Sequence, residues 1–407
     1  MPTRRGAAAA TAAVLLTPLL VAPLAGPAGA NPTSAPLASS IAVAWQRTAA
    51  RTIYTEGGSA PPAGGLYLAF TSLAVHEAAR KGQRYGRNAA AAAVATASHD
   101  VLSEYFPASA ANLDADLTAS LAMVPDGKKQ DIGVSIGAAA ADRMIASRVN
   151  DGRNDASVVY SKTPAPGIWQ PAPGGAMALP WLGFVDPVVD VAPVALDGPD
   201  PLTSAAYATD YNEVRRVGAV DSPLTERSAE QTAIAQFFAA NPVLTYRVAL
   251  CDLLDREPMG LLPTTRMFAR IDAAAATSFI QTWRLKFDVG FWRPFQAIAL
   301  AETDGNPATD PQDGWVPLVA NPAYSDYTSG HAAATSPFAE VVRRTLGDHT
   351  TLVLRAGGLE RTYTTLTALE HDAFHARIWG GLHFRDAMED GYFLGHVTAR
   401  RVMRAIH

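Results

Sequence analysis

The segment KFDVGFWRP carries two cations, Lys286 and Arg293, seven residues apart in a largely apolar stretch, with Pro294 directly behind the second. Seven residues are two turns of an α-helix, so both side chains would leave the same helix face. Proline disfavours helical geometry in the residue before it, which predicts that the helix ends at Arg293. Two cations that point at one place indicate an anion between them.

A second segment, TSGHAAATSPF, predicts the amino end of a helix. Thr328 or Ser329 is a natural N-cap, and the alanines after His331 continue the helix. Free backbone N–H groups gather at such an end, Gly330 allows a ligand to approach closely, and Ser329 adds a hydroxyl donor. The segment therefore indicates an anion site, although an ordinary capped helix would account for Ser-Gly-His taken alone.

A third segment, HARIWGGLHFRDAMED, predicts a helix that ends around Arg377, a break at Gly380-Gly381 and a second helix from about His383. Arg377 and His383 would then face each other across the break. Asp386 lies one helical turn after His383 and is predicted to accept its other ring proton, which would fix the tautomer and leave the free nitrogen a better electron-pair donor. Taken alone, this segment fits a surface ion pair beside a packed histidine better.

Together the three segments supply an ammonium group, two guanidinium groups, a helix amino end and two histidines, which is a complete site for a tetrahedral oxyanion. The combination resembles the superfamily of vanadium-dependent haloperoxidases and type-2 phosphatidic acid phosphatases, and is most similar to secreted bacterial haloperoxidase-like proteins. The shared pattern is Lys, six residues, Arg-Pro; then Ser-Gly-His; then Arg, five residues, His. It occurs here, in that order, as Lys286 to Arg293-Pro294, Ser329-Gly330-His331, and Arg377 to His383.

The resemblance implies a role for each matching residue. The groups that would hold vanadate or phosphate are Lys286, Arg293, Arg377, Ser329 and the amide of Gly330. His331 would be the acid/base, and Lys286 would also polarise bound peroxide. His383 would bond to vanadium, or attack phosphorus in a phosphatase.

Two positions depart from the family pattern. Ala376 replaces the Ser that usually precedes the arginine, and Asp386 comes three positions after His383 where the pattern has its carboxylate at the fourth. Both spacings lie on one helix face, so Asp386 is kept as a catalytic candidate.

The residues around the motifs favour the haloperoxidase branch. Phe291-Trp292 before Arg293-Pro294 resembles the FWRP of haloperoxidases, and an exported chain with an extra N-terminal bundle fits them better than the membrane-embedded lipid phosphatases. We therefore expect an enzyme that oxidises halide with hydrogen peroxide, using vanadate as a Lewis acid and neither haem nor flavin. Tyr324 occupies a position where algal bromoperoxidases have His and the fungal chloroperoxidase has Phe, so halide preference does not transfer.

Three alternatives stay open at this point. The first is a secreted acid phosphatase of the same superfamily that hydrolyses phosphoric monoesters through a His nucleophile, because vanadate resembles the transition state of phosphoryl transfer. The second is a zinc hydrolase, because HDAFH places His371 and His375 at the spacing of a helical zinc pair, with Asp372 where Glu is usual. The third is a non-enzymatic helical envelope protein that only binds phosphate.

The elements that must position these residues are helical, because apolar residues recur at three-to-four spacing and Ala is abundant. We predict a mainly α fold of two helical bundles, the C-terminal one carrying the oxyanion site. The segments that predict the N-terminal bundle are IAVAWQRTAARTIY, LYLAFTSLAVHEAARKG, AAAAAVATASHDVLSEYF and GVSIGAAAADRMIASRVND. The predicted divisions are a bundle over 31–158, an irregular Pro/Gly-rich surface connection over 159–202 and a bundle over 203–407, with 31–407 as one compact unit. The second bundle is broken at 304–328 and by a short apolar run near TLVLRA.

Composition limits the remaining function classes. Of 407 residues 48% are hydrophobic and 17% charged, which supports a large buried core. The first 30 residues have the layout of a secretory signal cleaved after Ala30, and its loss would take the formal charge from −5 to −7. We therefore expect a secreted protein that binds neither nucleic acid nor, once the signal is removed, a membrane. The single Cys251 is read as a core thiol. A homo-oligomer is left open.

Overall fold

Helices dominate the computed structural model, which describes residues 37–407. The predicted export signal, residues 1–30, lies outside the described residues. The described residues belong to one compact unit. The first five helices are α1 (Leu37–Ala50), α2 (Pro61–Gly82), α3 (Arg87–Tyr105), α4 (Ala110–Ala122) and α5 (Lys128–Ser147), and a π-helical turn (Arg51–Glu56) continues α1. Helices α1, α2, α3 and α5 match the four predicted segments.

Helix α4 was not predicted, although Leu113, Leu117 and Leu121 recur at every fourth position; of these three leucines only Leu113 is fully buried. Small residues explain the close packing of α3 against α5. A Cβ atom added at Gly133 or Gly137 of α5 would lie 2.3 Å from the carbonyl oxygen of Ala89 or 2.5 Å from that of Ala93. The backbones of α3 and α5 therefore touch where only glycine fits.

The connection between α5 and the next helix is irregular, as its Pro and Gly content predicts, with a 3₁₀ turn at Pro180–Phe184. It does not only cross the surface, however. Trp169, Trp181 and Leu182 are buried in one cluster with Phe70 of α2 and Trp283. The expected surface connection is thus partly a core element. Its large aromatic side chains are buried because leaving so much apolar area in contact with water would be unfavourable.

The second half contains α6 (Ala205–Val217), α7 (Ala229–Phe237), α8 (Pro242–Arg256), α9 (Leu261–Asp288), α10 (Pro294–Ala299), α11 (Gly330–Leu346), α12 (Leu366–Trp379) and α13 (Arg385–Ala405). The apolar run near TLVLRA forms β1 (Leu352–Ala356), which pairs antiparallel with β2 (Leu359–Tyr363). Gly357 and Gly358 join them with φ of +56° and +78°, the geometry of a two-residue hairpin turn that favours glycine. The prediction of a mainly α fold is confirmed.

Helix α9, with 28 residues, is central to the positioning of the site. It packs against α2, α11 and α13. Its buried Ala273–Ala276 run lets neighbouring helices approach closely. The carboxyl end of α9, the amino end of α11 and the junction of α12 with α13 meet through hydrogen bonds that are described below.

Within residues 37–407, no single helix is both long and apolar enough to cross a membrane. The pair α7 and α8 passes that test only when its two helices are taken together, and they are bent by 89° at their break.

Candidate active site

Lys286 and Arg293 converge, but not by sharing one helix. Helix α9 ends at Asp288, and Gly290 turns the chain with φ of +65°. Arg293 is the extended N-cap of α10, with φ −89° and ψ 160°, as expected for a residue that precedes proline. The prediction that a helix runs to Arg293 was therefore wrong, because the turn at Gly290 ends it earlier.

Both cations bind the same short segment. The Lys286 ammonium donates to the carbonyl oxygens of Ser325 at 2.8 Å and Asp326 at 2.9 Å. The Arg293 guanidinium donates through Nε to the Tyr324 carbonyl at 2.6 Å and through Nη2 to that of Ser325 at 3.4 Å. Both side chains are fully buried, and the Tyr324 ring centre lies 5.0 Å from each charged group. Segment 324–326 therefore holds the two charges side by side.

Ser329 is the N-cap of α11, and its Oγ accepts a hydrogen bond from the Ala332 amide at 3.4 Å. Its own amide donates to the Ala387 carbonyl at 3.0 Å, which ties α11 to α13. Gly330 lies against Trp283, where an added Cβ would stand 3.2 Å from the indole ring. The first-turn N–H groups of Gly330 and His331 have no place in the helical ladder and are the groups available to an anion.

The glycine pair breaks the chain between α12 and α13, close to the predicted place. Gly381 has φ of +74°, and a Cβ there would lie 2.6 Å from the Gly218 carbonyl, so only glycine fits. The break directs Arg377 and His383 inward, and both are buried. Arg377 donates through Nη1 to the Phe238 carbonyl at 3.2 Å, while its Nε has no partner among the described residues.

Asp326, not Asp386, is the carboxylate at His383. The Nδ1 atom of His383 lies 2.7 Å from Oδ1 of Asp326, a close contact that lacks the in-line geometry of a hydrogen bond. Helix α13 begins only at Arg385, so His383 precedes it and the one-turn spacing to Asp386 does not apply.

Asp386 is occupied elsewhere. Its amide donates to Oδ2 of Asp210 at 2.7 Å, and its Oδ2 accepts from the Asp200 amide at 3.3 Å. The predicted Asp386–His383 pair is therefore corrected. The sequence signal for Asp326 was its place five residues before His331, just ahead of the TSGHAAATSPF segment.

His331 stands at the amino end of α11 with its Nε2 buried and without a partner in the described part of the chain. The carbonyl groups of Ala240 and Phe238, in the link between α7 and α8, face its ring and favour the protonated form. Burial acts more strongly, together with the charges of Arg377 and Arg293, so the pKa of His331 is held well below its usual value. The imidazole is therefore neutral near pH 7.

The pKa values of the other ionisable groups in the site are also shifted by burial and by the neighbouring positive charges. Burial, then the Arg293 charge, holds the pKa of Lys286 well below its ordinary value. Burial lowers the pKa of Arg377 to about 10, and burial with the neighbouring cations lowers that of His383 strongly. The pKa of Asp326 is raised by burial to about 7. Three buried cations thus face one buried carboxylate, an arrangement that an anion would stabilise.

We call the converging residues the oxyanion cage: Lys286, Arg293, Ser329, Gly330, His331, Arg377 and His383. The donor set fits a tetrahedral oxyanion such as vanadate or phosphate. Two of the three ammonium protons of Lys286 are used by carbonyl groups, and Arg377 Nε and His331 Nε2 are buried without partners. Nε2 of His383, opposite the Asp326 contact, is the ring nitrogen left for a ligand.

The residues of the predicted zinc pair lie on α12, away from these contacts. The His371 and His375 rings are 4.3 Å apart, His371 is largely exposed, and Nδ1 of His375 is bonded to the His371 carbonyl at 2.8 Å. Across residues 37–407, no group of three or more His, Cys, Asp or Glu residues could hold a metal ion. The pair therefore lacks a third ligand in the described structure.

Known proteins share both the C-terminal domain and the fold. The family model of the VCPO second helical-bundle domain matches residues 266–407. No curated protein matches the sequence. The fold is similar to that of the first bacterial vanadium-dependent iodoperoxidase, with a TM-score of 0.71, 20% identity and coverage of 93% of this chain and 98% of that one.

Two structures of a bacterial vanadium-dependent chloroperoxidase are also similar. The holo form has a TM-score of 0.66 and 17% identity over 86% of this chain and 93% of that one. The apo form has a TM-score of 0.64 and 18% identity over 85% and 95%. Residues 266–407 thus match the VCPO second helical-bundle domain, and the chain as a whole shares its fold with bacterial vanadium-dependent haloperoxidases, which agrees with the predicted superfamily.

Proposed function

We propose that this protein is a vanadium-dependent haloperoxidase, which oxidises halide with hydrogen peroxide. The observation that carries the proposal is the oxyanion cage, in which Lys286, Arg293 and Arg377 are buried and none of them forms an ion pair with a carboxylate of the described residues, because the Asp326 carboxylate contacts His383 instead. Buried cations without counter-charges are strongly unfavourable, so the arrangement makes sense only with a bound anion.

The cage residues divide the work of holding vanadate. The three cations balance its charge, the Ser329 hydroxyl and the first amides of α11 donate to its oxygens, and His383 offers the lone pair of Nε2 to the metal. Bound there, vanadate would supply Lewis-acid activation of peroxide. Lys286 keeps one N–H for the bound oxidant, because only two of its protons are held by carbonyl groups.

His331 is the residue suited to move protons. Its lowered pKa keeps the imidazole neutral near pH 7, and Nε2 is unpartnered in the described structure, so it can take a proton from incoming peroxide. A bound anion would raise this pKa and so make His331 a stronger base. The imidazolium would then give the proton to the oxygen atom that peroxide displaces, which would leave as water.

The same cage suits a phosphatase with His383 as nucleophile, so anion binding alone does not choose between the two chemistries. Two observations support halide oxidation. The similar solved structures, which cover 85% or more of this chain, are haloperoxidases. In addition, Phe291 and Trp292 are buried directly before Arg293, in the FWRP arrangement described above.

The deciding experiment is a paired assay on one preparation. Incubated with orthovanadate, hydrogen peroxide and bromide, the protein should brominate a diketone probe, and inorganic phosphate should inhibit by competing for the cage. Chloride and iodide in parallel would give the halide preference. Turnover of p-nitrophenyl phosphate without any vanadate-dependent halogenation would contradict the proposal and establish the phosphatase.

We also propose that the enzyme is exported, on the sequence of residues 1–30 alone. Sequencing the amino terminus of the protein recovered from an expressing culture should give Asn31 as the first residue. An intact Met1 on protein confined to the cytoplasm would contradict export.

A further inference from the structure

Asp326 contacts all three motif-bearing segments of the chain. Its amide donates to the Phe291 carbonyl at 2.8 Å, next to Arg293. Its own carbonyl accepts from the Lys286 ammonium at 2.9 Å, and its carboxylate lies 2.7 Å from Nδ1 of His383. The residue is fully buried. One side chain and its two peptide groups therefore join the Lys-to-Arg segment, the Ser-Gly-His segment and the histidine after the glycine break.

The carboxylate of Asp326 contacts a histidine of the site and not its cations. A buried carboxylate beside two cations would ordinarily pair with them, yet among the described residues His383 is its one partner within ion-pair distance. Lys286 and Arg293 donate instead to main-chain carbonyl groups. The Asp326 carboxylate therefore does not neutralise either cation by direct contact, and it lies against the imidazole instead.

We propose that Asp326 is a positioning residue that fixes His383 in the tautomer with the proton on Nδ1. A carboxylate oxygen 2.7 Å from Nδ1 repels the lone pair that the opposite tautomer would place on that nitrogen, so the contact stabilises the Nδ1–H form of the ring. Nε2 then carries the lone pair and faces the oxyanion cage. The proposal rests on the proposed function only for the identity of the metal, because the tautomer is a property of the protein alone.

The isosteric variant Asp326→Asn separates positioning from stability. An asparagine amide can donate to Nδ1, which would favour the opposite tautomer with the proton on Nε2. That ring can no longer offer a lone pair to vanadium, yet it can still donate a hydrogen bond to a phosphate oxygen. Vanadate affinity should therefore fall by about 10- to 100-fold, the usual range for a lost outer partner of a metal-bound histidine, while phosphate affinity stays within a factor of about two.

The tautomer can be read directly in the protein labelled with ¹⁵N at histidine, before any vanadate is added. In the wild type, Nδ1 of His383 should show the shift of a protonated ring nitrogen and Nε2 that of an unprotonated one, with His383→Gln providing the assignment. In Asp326→Asn the two shifts should exchange. This reading does not depend on peroxidase activity, so a failed halogenation assay with the expected shifts would contradict the proposed function and leave the tautomer proposal standing.

Asp386→Asn tests the rival carboxylate. It should leave the ¹⁵N shifts of His383 as in the wild type and the vanadate affinity within a factor of about two of the wild-type value. The proposal would be overturned if Asp326→Asn kept the wild-type shifts. It would equally be overturned if vanadate and phosphate affinities fell together with the melting temperature, because that result describes general loss of structure. An Asp386→Asn protein that lost vanadate while Asp326→Asn retained it would restore the pairing predicted from sequence.

Discussion

Nη1 of Arg293 donates a hydrogen bond to the carbonyl oxygen of Leu382 at 2.8 Å, which places the guanidinium against the peptide that leads into His383. The arginine that would hold the oxyanion thus also fixes the turn that carries His383, the proposed metal ligand. Its Nε and Nη2 atoms donate to carbonyl groups of segment 324–326, so the planar guanidinium joins that segment to the turn before His383. A change at Arg293 should therefore disturb anion binding and the His383 turn together.

Arg293→Lys should weaken vanadate and phosphate binding even though the charge is kept. A lysine ammonium cannot reach the three carbonyl groups from one plane, and the loss of one charge-assisted hydrogen bond corresponds to roughly 1.5–3 kcal/mol. Calorimetric titration with each anion measures the change. The matched control is Arg284→Lys, because Arg284 is half exposed and contacts Asp288 and the Phe184 ring, neither of which belongs to the oxyanion cage. Equal affinities for the Arg293 and Arg284 variants would mean that Arg293 does not face the anion.

The two histidines should separate in a vanadate titration. His383→Ala removes the proposed metal ligand and should lose both vanadate affinity and activity. His331→Ala removes the proposed acid/base and should bind vanadate while turnover falls by about 10²–10⁴-fold. The reverse order of vanadate affinities would exchange the two assignments.

Lys286→Ala should lower peroxide-dependent turnover more than anion affinity. The ammonium is held in place by two carbonyl groups and keeps one proton for the bound oxidant, so its main effect belongs to the reacting state. Removal of one such donor typically reduces kcat by about 10²–10³-fold. Steady-state kinetics with vanadate at saturation measures kcat separately from binding, and the exposed Lys128→Ala is the control. A loss confined to vanadate affinity would assign Lys286 to charge balance alone.

Local signals in the sequence predicted the parts of the site that depend on local geometry. The N-cap at Ser329 follows from hydroxyl capping before an Ala-rich helix, and the break at Gly380-Gly381 follows from the conformational freedom of glycine. These features are decided within one or two helical turns, where pattern and propensity act directly.

The carboxylate at His383 could not be predicted in this way. The sequence offers Asp386 one turn away on an assumed helix, but that helix starts too late, at Arg385. Asp326 reaches His383 because tertiary packing brings segment 324–326 between α9 and the glycine break. Likewise, the early end of α9 depends on the turn at Gly290, where the Trp169 amide donates to the Gly290 carbonyl at 2.8 Å. Long-range contacts of this kind leave no local period in the sequence.

The stability of the protein should depend on pH through Asp386, although it does not contact His383. Burial, followed by the charges of Asp390 and Asp200, raises the pKa of Asp386 from 3.8 to about 7. Between these two values the folded state binds a proton that the unfolded state has released, so this group makes folding less favourable as pH rises from about 4 to about 7. Above pH 7 the folded protein carries the full penalty of the buried charge.

Asp386→Asn keeps the shape of the side chain and removes this titration. The melting temperature of the variant relative to wild type should therefore rise with pH across that interval and remain higher at pH 8. Differential scanning calorimetry of both proteins from pH 4 to 8 measures the difference, in which the carboxylates remote from Asp386 cancel. Asp210, whose pKa burial raises to about 6, accepts a hydrogen bond from the Asp386 amide, and this bond is kept in the variant because it comes from the main chain. A difference that stayed constant with pH would mean that Asp386 titrates normally in the folded protein, and its carboxylate would then be solvated rather than held among the neighbouring acids.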